Sequence, residues 1–169
     1  MTIEEAKNLI ENYKLNKDNY LAAIQSFQNE EKEENYKLFL KLIGFFDTCC
    51  SDEAYRNIIL ILENFKNKLP STSQNLGYYY YGESLLYLYL GDRARSIEFA
   101  LEAKKIEGLD PKFLYYTECF LVSALYQEGL YKEALNENNF IYNNIYSFVD
   151  DDLKTSVLFN FIVICLSIF

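Results

Sequence analysis

The residue types that carry most enzyme chemistry are scarce in this chain of 169 residues. No histidine occurs, which removes the usual general base at neutral pH, the Cys/His zinc patterns and every triad that uses imidazole. The acidic groups Glu33-Glu34 and Asp150 to Asp152 stand where helix N-termini are expected, and carboxylates there usually stay solvated. The segment GDRARS at Gly91 lacks the second glycine and the Lys-Ser/Thr ending of a phosphate loop. We therefore expect no catalytic site, no metal and no cofactor.

The four cysteines are the remaining candidates for redox or metal chemistry. Cys49, Cys50, Cys119 and Cys165 form no C-x-x-C pattern, and each lies in or beside an apolar run with helical spacing. This arrangement favours reduced, buried thiols in a cytoplasmic protein over a redox or metal site. The N-terminal sequence MTIEEAKNLIENYK lacks the pattern of a signal peptide. The most apolar stretch, 157–169, is shorter than the roughly 18 to 20 residues that a membrane helix needs.

The overall charge bears on the partners. Sixteen basic residues against 25 acidic ones leave a net charge of −9, so a phosphate backbone or an anionic membrane would be repelled. We therefore expect neither nucleic acid nor membrane as a direct partner. Half of the residues are hydrophobic, which is enough for one domain with a continuous core over residues 1–169.

The apolar residues of the chain recur with helical spacing. Thr2 and Glu5 match a capping box, and the run Tyr20, Ala23, Ile24 and Phe27 has the spacing of a helix that buries one stripe. A third helix is expected from about residue 35 to 48, and similar patterns continue to the end of the chain. The sequence predicts an all-α fold of about nine helices. The tyrosine run 78–81 lies within an expected helix, although its β-propensity is high.

Four of these helices repeat one another. Tyr20, Tyr55, Arg93 and Tyr131 open similar apolar patterns and follow one another at intervals of 35, 38 and 38 residues. A helical hairpin that recurs at such an interval must stack on its neighbours to cover its apolar face, which is typical of a solenoid. The expected units are 1–34, 35–70, 74–108 and 111–147, followed by a final helix over 151–169. The alternative is that any amphipathic helix fits so loose a template.

The best of these units resembles the tetratricopeptide repeat (TPR) family. The residues at the family's aromatic, small and turn positions are Tyr80, Ser84, Tyr87, Gly91, Ser96 and Ala103. The next unit matches at Leu125, Gly129, Tyr131 and Ala134 and departs at Glu118 and Val122, whereas the first two units have Asp18 and Glu53 in place of the turn glycine. The resemblance covers residues 16 to 146. It implies a right-handed α-solenoid of antiparallel helix pairs with a concave groove.

In TPR proteins the first helix of each pair lines that groove. The resemblance therefore implies that the binding residues are Tyr78, Tyr81, Leu85, Tyr89, Tyr116, Ser123, Gln127 and Asn160, with Cys119, Tyr126 and Lys154 beside them. Tyrosine offers a large contact area with a polar tip. The four consecutive tyrosines 78–81 cannot all face one way, because successive helical residues are about 100° apart, so some must belong to the core. The asparagines of 136–144 either clamp a peptide backbone or reflect a biased composition.

Three functions are compatible with these residues. The first is a non-catalytic scaffold that binds a peptide or protein segment. The second is a peptide-responsive cytoplasmic regulator resembling the quorum-peptide receptors of Gram-positive bacteria, although residues 1–35 show no basic DNA-recognition helix. The third is homodimerisation through the apolar C-terminal helix, with Val157, Phe159, Phe161, Ile164 and Phe169 at the interface. The alternative explanation of this apolar face is that the chain is a fragment of a longer repeat array.

Overall fold

The computed structural model describes residues 1–49, 51–70, 72–144 and 151–168, and the regular secondary structure of these residues is entirely helical. The predicted all-α fold is confirmed at this level. The helices are α1 (Ile3–Glu11), α2 (Lys17–Gln25), α3 (Glu33–Ile43), α4 (Phe46–Cys49), α5 (Asp52–Lys68), α6 (Ser73–Tyr89), α7 (Arg93–Lys104), α8 (Pro111–Gln127), α9 (Tyr131–Asn144) and α10 (Asp151–Ile168). None of these helices is long and apolar enough to cross a membrane.

The helix expected over residues 35–48 is divided in two. Helix α3 ends at Ile43, and the single turn α4 follows after two residues. At the break, the N–H of Gly44 donates to the carbonyl of Lys41, and the N–H of Phe45 donates to that of Leu42, both at 3.1 Å. Such bonds across three residues tighten the end of a helix, and glycine weakens a helix interior. The described residues therefore form ten helices, where about nine were expected.

Capping side chains and a proline mark several of the helix starts. The hydroxyl of Thr2 accepts from the N–H of Glu5 at 3.2 Å, and the Glu5 carboxylate accepts from the N–H of Thr2 at 2.7 Å, which confirms the capping box. The hydroxyl of Ser51 accepts from the N–H of Ala54 and caps α5. Pro111 is the first residue of α8, where its missing N–H costs nothing. The cap expected at Asp150 lies outside the described residues.

The chain divides into two compact units, Met1–Gly82 and Glu83–Phe169. We call them the first and the second unit. The core of the first unit is largely aromatic. The ring of Phe65 stacks on that of Tyr36, with 4.5 Å between centroids, and lies 5.8 Å from that of Phe39, which in turn contacts Phe27 at 5.5 Å. These four side chains are completely buried, so α2, α3 and α5 share one apolar interior.

Close packing explains the glycine inside α6. A Cβ atom on Gly82 would lie 2.9 Å from a methyl carbon of Leu62 and 3.0 Å from one of Leu40. The leucines of α5 and α3 therefore approach the backbone of α6 to a distance that only glycine permits. This close packing explains why glycine occupies the position although its helix propensity is low.

The core of the second unit is drawn from α7, α8, α9 and α10. Its buried members are Ala100, Tyr115, Leu121, Val122, Leu125, Ala134, Ile141, Val157 and Ile164. One hydrogen bond fixes the last helix to this core. The side-chain amide of Asn138 donates from Nδ2 to the carbonyl of Val157 at 3.2 Å, and both residues are buried. Helix α10 is therefore positioned against α9 by a polar contact as well as by apolar packing.

The two turns of the second unit repeat each other bond for bond. The N–H of Gly91 donates to the carbonyl of Leu88, and the N–H of Asp92 donates to that of Tyr87. Thirty-eight residues later, the bonds of the second turn are Gly129 to Tyr126 and Leu130 to Leu125. Both glycines have a φ of +77°, the left-handed conformation of a Schellman helix ending. The 38-residue interval of the sequence thus corresponds to a repeated local geometry.

Candidate binding site

A cleft of about 160 Å³ opens between α8 and α10 in the second unit. Its lining residues are Val122, Ser123, Tyr126, Gln127, Asn160, Val163 and Ile164. The α8 residues recur at helical spacings of three and four, as do the α10 residues, so each helix presents one face to the cleft. Both helices pack against α9, which sets the separation of the two walls. None of the lining residues carries a charge.

Hydrogen bonds fix two polar side chains of the α8 wall, Tyr126 and Gln127. The hydroxyl of Tyr126 shares a hydrogen bond of 3.0 Å with the hydroxyl of Ser167 on α10, and this bond joins the two walls at one end. The amide oxygen of Gln127 accepts from Nε of Arg93 at 3.0 Å. Since its oxygen is engaged, Gln127 has its amide nitrogen to donate to a ligand. Arg93 also forms an ion pair with Glu128 at 3.4 Å, which orients the guanidinium.

The opposite wall carries one polar side chain, Asn160. Its side chain is half-buried and makes no hydrogen bond within the part of the chain that the structure describes. A carboxamide supplies two donors and an acceptor, so it can bind an N–H and a C=O group of an extended backbone together. The valine and isoleucine that follow it at i+3 and i+4 form the apolar floor beside it. The cleft therefore combines an apolar interior with amide and hydroxyl groups.

An ion triad joins α7, α8 and α9 elsewhere in the second unit. Nζ of Lys104 lies 3.2 Å and 3.4 Å from the two carboxylate oxygens of Glu118, and it also forms an ion pair with Glu137. The same ammonium lies 4.1 Å from the ring centroid of Phe140. Glu118 is completely buried, whereas the other two side chains are about a quarter exposed. One cation thus faces two carboxylates at the junction of three helices.

The triad shifts the protonation of its members. Burial raises the pKa of Glu118 to about 7, and the attraction of Lys104 opposes this rise without cancelling it. Burial alone would lower the pKa of Lys104, but the hydrogen bond and charge of Glu137 together with the charge of Glu118 raise it. Lys104 is therefore firmly charged at neutral pH, and Glu118 is poised between its two forms. Within the described residues, the lysine already occupies the position that a metal ion would need between the carboxylates.

Three of the predicted binding residues meet at the cleft, and five do not line it. Ser123, Gln127 and Asn160 come together there, with Tyr126 between them. Tyr116 lies further towards the N-terminus of α8, where its ring stacks on that of Phe120 with 6.5 Å between centroids. Tyr89 is half-buried near the end of α6. The role of these residues in binding stays a prediction.

The remaining predicted groove residues are buried. Tyr78 is completely buried, with its ring 6.3 Å from that of Tyr36, and Tyr81 and Leu85 are 6 % and 1 % exposed. They contribute packing in this structure, because a buried side chain presents almost no surface to a ligand. A half-exposed position and a buried one have the same spacing in sequence, so the period alone could not separate them.

The predicted interface residues of α10 also divide into buried and exposed sets. Val157 and Ile164 are 1 % and 2 % exposed and belong to the core of the second unit, so neither can touch a second copy in this conformation. Phe159 and Phe161 are exposed. Phe169 lies outside the described residues. The helix therefore turns one apolar face inward and another outward.

The structure describes three of the four cysteines. Cys49 is buried, and Cys119 and Cys165 are half-buried. Burial raises the pKa of the Cys119 thiol to about 11, which suppresses the thiolate that nucleophilic or redox chemistry requires. Cys50 lies outside the described residues. Within those residues, no group of His, Cys, Asp and Glu side chains could hold a metal ion.

Comparison of this chain with protein-family models, curated proteins and solved structures finds no match. The residues of the cleft that sequence reasoning missed are Val122 and Val163, together with Ile164, which it had assigned to an interface. Val122 follows Ser84 by one 38-residue interval, and both residues are buried, so the interval predicts burial there and not a place in the cleft. Val163 and Ile164 could have been found from their spacing after Asn160.

Proposed function

We propose that this chain is a non-catalytic, TPR-like scaffold of the cytoplasm that binds a peptide or protein segment in the cleft between α8 and α10. The observation that carries the proposal is the meeting of Ser123, Gln127 and Asn160 around one apolar cleft. The fold that it assumes is a right-handed solenoid of antiparallel helix pairs, in which α8 and α10 are the first helices of successive pairs. The repeated turn bonds at Gly91 and Gly129 support that assumption.

The size of the cleft favours a peptide side chain over a free small molecule. Pockets that enclose drug-sized ligands usually measure about 300 to 1,000 Å³. The cleft offers about 160 Å³, which is room for about five water molecules at roughly 30 Å³ each. One large apolar side chain fits such a volume. The rest of its ligand would then lie along the rim, as the backbone of a peptide does.

The polarity of the rim agrees with a peptide backbone. Gln127 can donate and Asn160 can both donate and accept, which are the functions needed to pair with the N–H and C=O groups of an extended chain. The lining carries no charge, so recognition does not depend on a charged ligand group. We expect the affinity to change little with salt, because screening acts on charged pairs.

A thermal-shift experiment tests the proposal. The probe is a library of short synthetic peptides with blocked ends, each with one large apolar side chain flanked by small residues. A peptide at a hundred times its Kd should stabilise the protein by about 2.7 kcal/mol, which raises Tm by about 5 to 10 °C. Peptides without the large side chain should give no rise.

Two leucine variants provide the matched comparison. Asn160→Leu removes the carboxamide from the cleft and fills part of its volume, so it should abolish the rise in Tm. Asn136→Leu makes the same change at an exposed position of α9 that does not line the cleft, and it should keep the rise. The proposal fails if no peptide raises Tm, or if the effective peptides act equally on both variants.

A further inference from the structure

The outward face of α10 carries a continuous apolar stripe. It consists of Leu158, Phe159, Ile162 and Leu166, which are between 46 and 76 % exposed. Their spacing places them on one side of the helix, because residues three and four apart lie above one another. The inward face carries Val157 and Ile164 and is fully used by the core of the second unit. The stripe is therefore additional to the apolar surface that folding of this unit requires.

We propose that a second copy of this chain covers the α10 stripe. This inference is independent of the proposed function, since none of the four stripe residues lines the cleft. Three properties of the stripe favour a second copy as its partner. They are its area, its lack of charge and the symmetric placement of Leu158 and Leu166 about Ile162.

The area of the stripe suits a modest dimer. At about 200 Å² for a large apolar side chain, the four exposed fractions leave roughly 500 Å² of apolar surface on one copy. A single monomer rarely exposes a patch beyond a few hundred Å². Two copies would together bury about 1,000 Å² from these side chains alone, which is the lower bound for a specific interface.

The lack of charge favours a copy over an oppositely charged partner. Between Val157 and Ile168 the sequence contains no charged residue, so the stripe has no group that would attract a basic or acidic protein. Each copy carries a net charge of −9, and two such chains repel one another. Contact through an uncharged helix face keeps the nearest like charges apart and lowers that repulsion.

Three of the four stripe positions are symmetric about Ile162. Leu158 and Leu166 lie four residues before and four residues after Ile162. When two copies of α10 cross antiparallel on an axis through Ile162, Leu158 faces the partner's Leu166, and Leu166 faces the partner's Leu158. A two-fold interface requires this reciprocity, since each contact must occur twice.

The mass in solution tests the dimer. Light scattering on the full chain over a wide range of concentrations should show a rise from 19.9 kDa towards twice that value. Ile162→Glu places two carboxylates against each other on the axis, so this variant should stay at the monomer mass at every concentration. Leu60→Glu on α5 is the matched control, because Leu60 is 63 % exposed, close to the 57 % of Ile162. This control should dimerise like the unaltered chain.

Three results would overturn the proposal. They are an unaltered chain that stays at 19.9 kDa, a dimer that persists in Ile162→Glu, and a dimer that Leu60→Glu also abolishes.

Circular dichroism checks that the variants keep their helical signal. If Ile162→Glu loses that signal, the milder Leu166→Gln replaces it, since Leu166 is the most exposed member of the stripe. Leu166→Gln must then weaken the dimer at least several-fold, and an unchanged dissociation constant would reject the interface. None of these outcomes depends on whether the cleft binds a peptide. The dimer and the peptide-binding proposal can therefore be rejected independently of one another.

Discussion

The two units of this molecule bury different kinds of side chain. The interior of the first unit is filled by rings, as in the contacts of Phe65 with Tyr36 and Phe39. Apart from tyrosine hydroxyls, the buried polar residue among its described positions is Asn75. Among the described residues of the second unit, six polar or charged ones are buried, which are Glu83, Ser84, Ser96, Thr117, Glu118 and Asn138. The second interior therefore adds buried polar groups to its apolar packing.

Several polar contacts of the second unit join different helices. Ser84 on α6 and Ser96 on α7 exchange hydrogen bonds, each hydroxyl donating to the other residue's carbonyl at 3.0 and 2.9 Å. The Lys104 triad joins α7, α8 and α9, and Asn138 joins α9 to α10. Apolar packing tolerates small shifts, whereas a buried polar pair is satisfied only in one arrangement. In the unit that carries the cleft, the helix register is therefore fixed by polar contacts as well as by apolar packing.

The largest expected effect lies in the aromatic interior. Phe65→Ala should lower the free energy of unfolding by about 3 to 5 kcal/mol, because it removes a completely buried ring and leaves a cavity between Tyr36 and Phe39. Urea unfolding followed by circular dichroism measures the loss. Leu60→Ala, on the exposed side of the same helix, should change the value by less than about 0.5 kcal/mol. Equal effects of the two variants would contradict the assignment of the first core.

The triad supplies the next effect. Lys104→Met should lower the free energy of unfolding by about 3 kcal/mol at pH 7, since it leaves Glu118 buried beside Glu137 without a cation. The loss should shrink below pH 6, where Glu118 binds a proton and loses its charge. Lys105→Met is the control, because Lys105 is exposed and its ion pair among the described residues is with Glu102 one turn away. A loss that does not depend on pH would show that the lysine acts through packing alone.

The titration of Glu118 itself should be visible in stability. Its pKa is about 7 in the folded chain against an ordinary value of 4.5, so the folded chain binds more protons than the unfolded chain between these values. The free energy of unfolding then falls as pH rises, by about 2 kcal/mol from pH 5 to pH 7 for this group. Glu118→Gln removes the titration. The free energy of unfolding of the variant minus that of the unaltered chain should therefore rise by that amount from pH 5 to pH 7. A constant difference would contradict the buried carboxyl.

The smallest effect concerns the bond between α9 and α10. Asn138→Ala removes the donor to the carbonyl of Val157 and should cost about 1 kcal/mol. Asn136→Ala, at an exposed position of the same helix, should be neutral or slightly stabilising, because alanine is the better helix former. Both are measured by urea unfolding. A neutral Asn138→Ala would mean that apolar packing alone holds α10 in place.

Much of the fold could be predicted from local patterns. The cap at Thr2 and the turns at Gly91 and Gly129 agree with expectation. These features depend on residues that are near one another in the chain. The break between α3 and α4 was missed, because the apolar pattern continues across Gly44.

The candidate site could be predicted only in part. Ser123, Gln127 and Asn160 were placed on groove-facing helices, and the structure brings them together, but Tyr78 and Leu85 were placed there on the same grounds and are buried. Helical spacing states which residues share a face. It does not state how far a neighbouring helix covers that face, and this coverage separates a binding side chain from a core one.

By itself, the sequence determined that this chain forms helices and that the turn glycines Gly91 and Gly129 lie 38 residues apart. These properties follow from backbone preferences and apolar spacing, which act over a few turns of chain. Only the tertiary structure decided which tyrosines are buried, that Lys104 meets two carboxylates from other helices, and that α8 and α10 leave a cleft between them. Those contacts join residues far apart in the chain, and their existence depends on how whole helices pack.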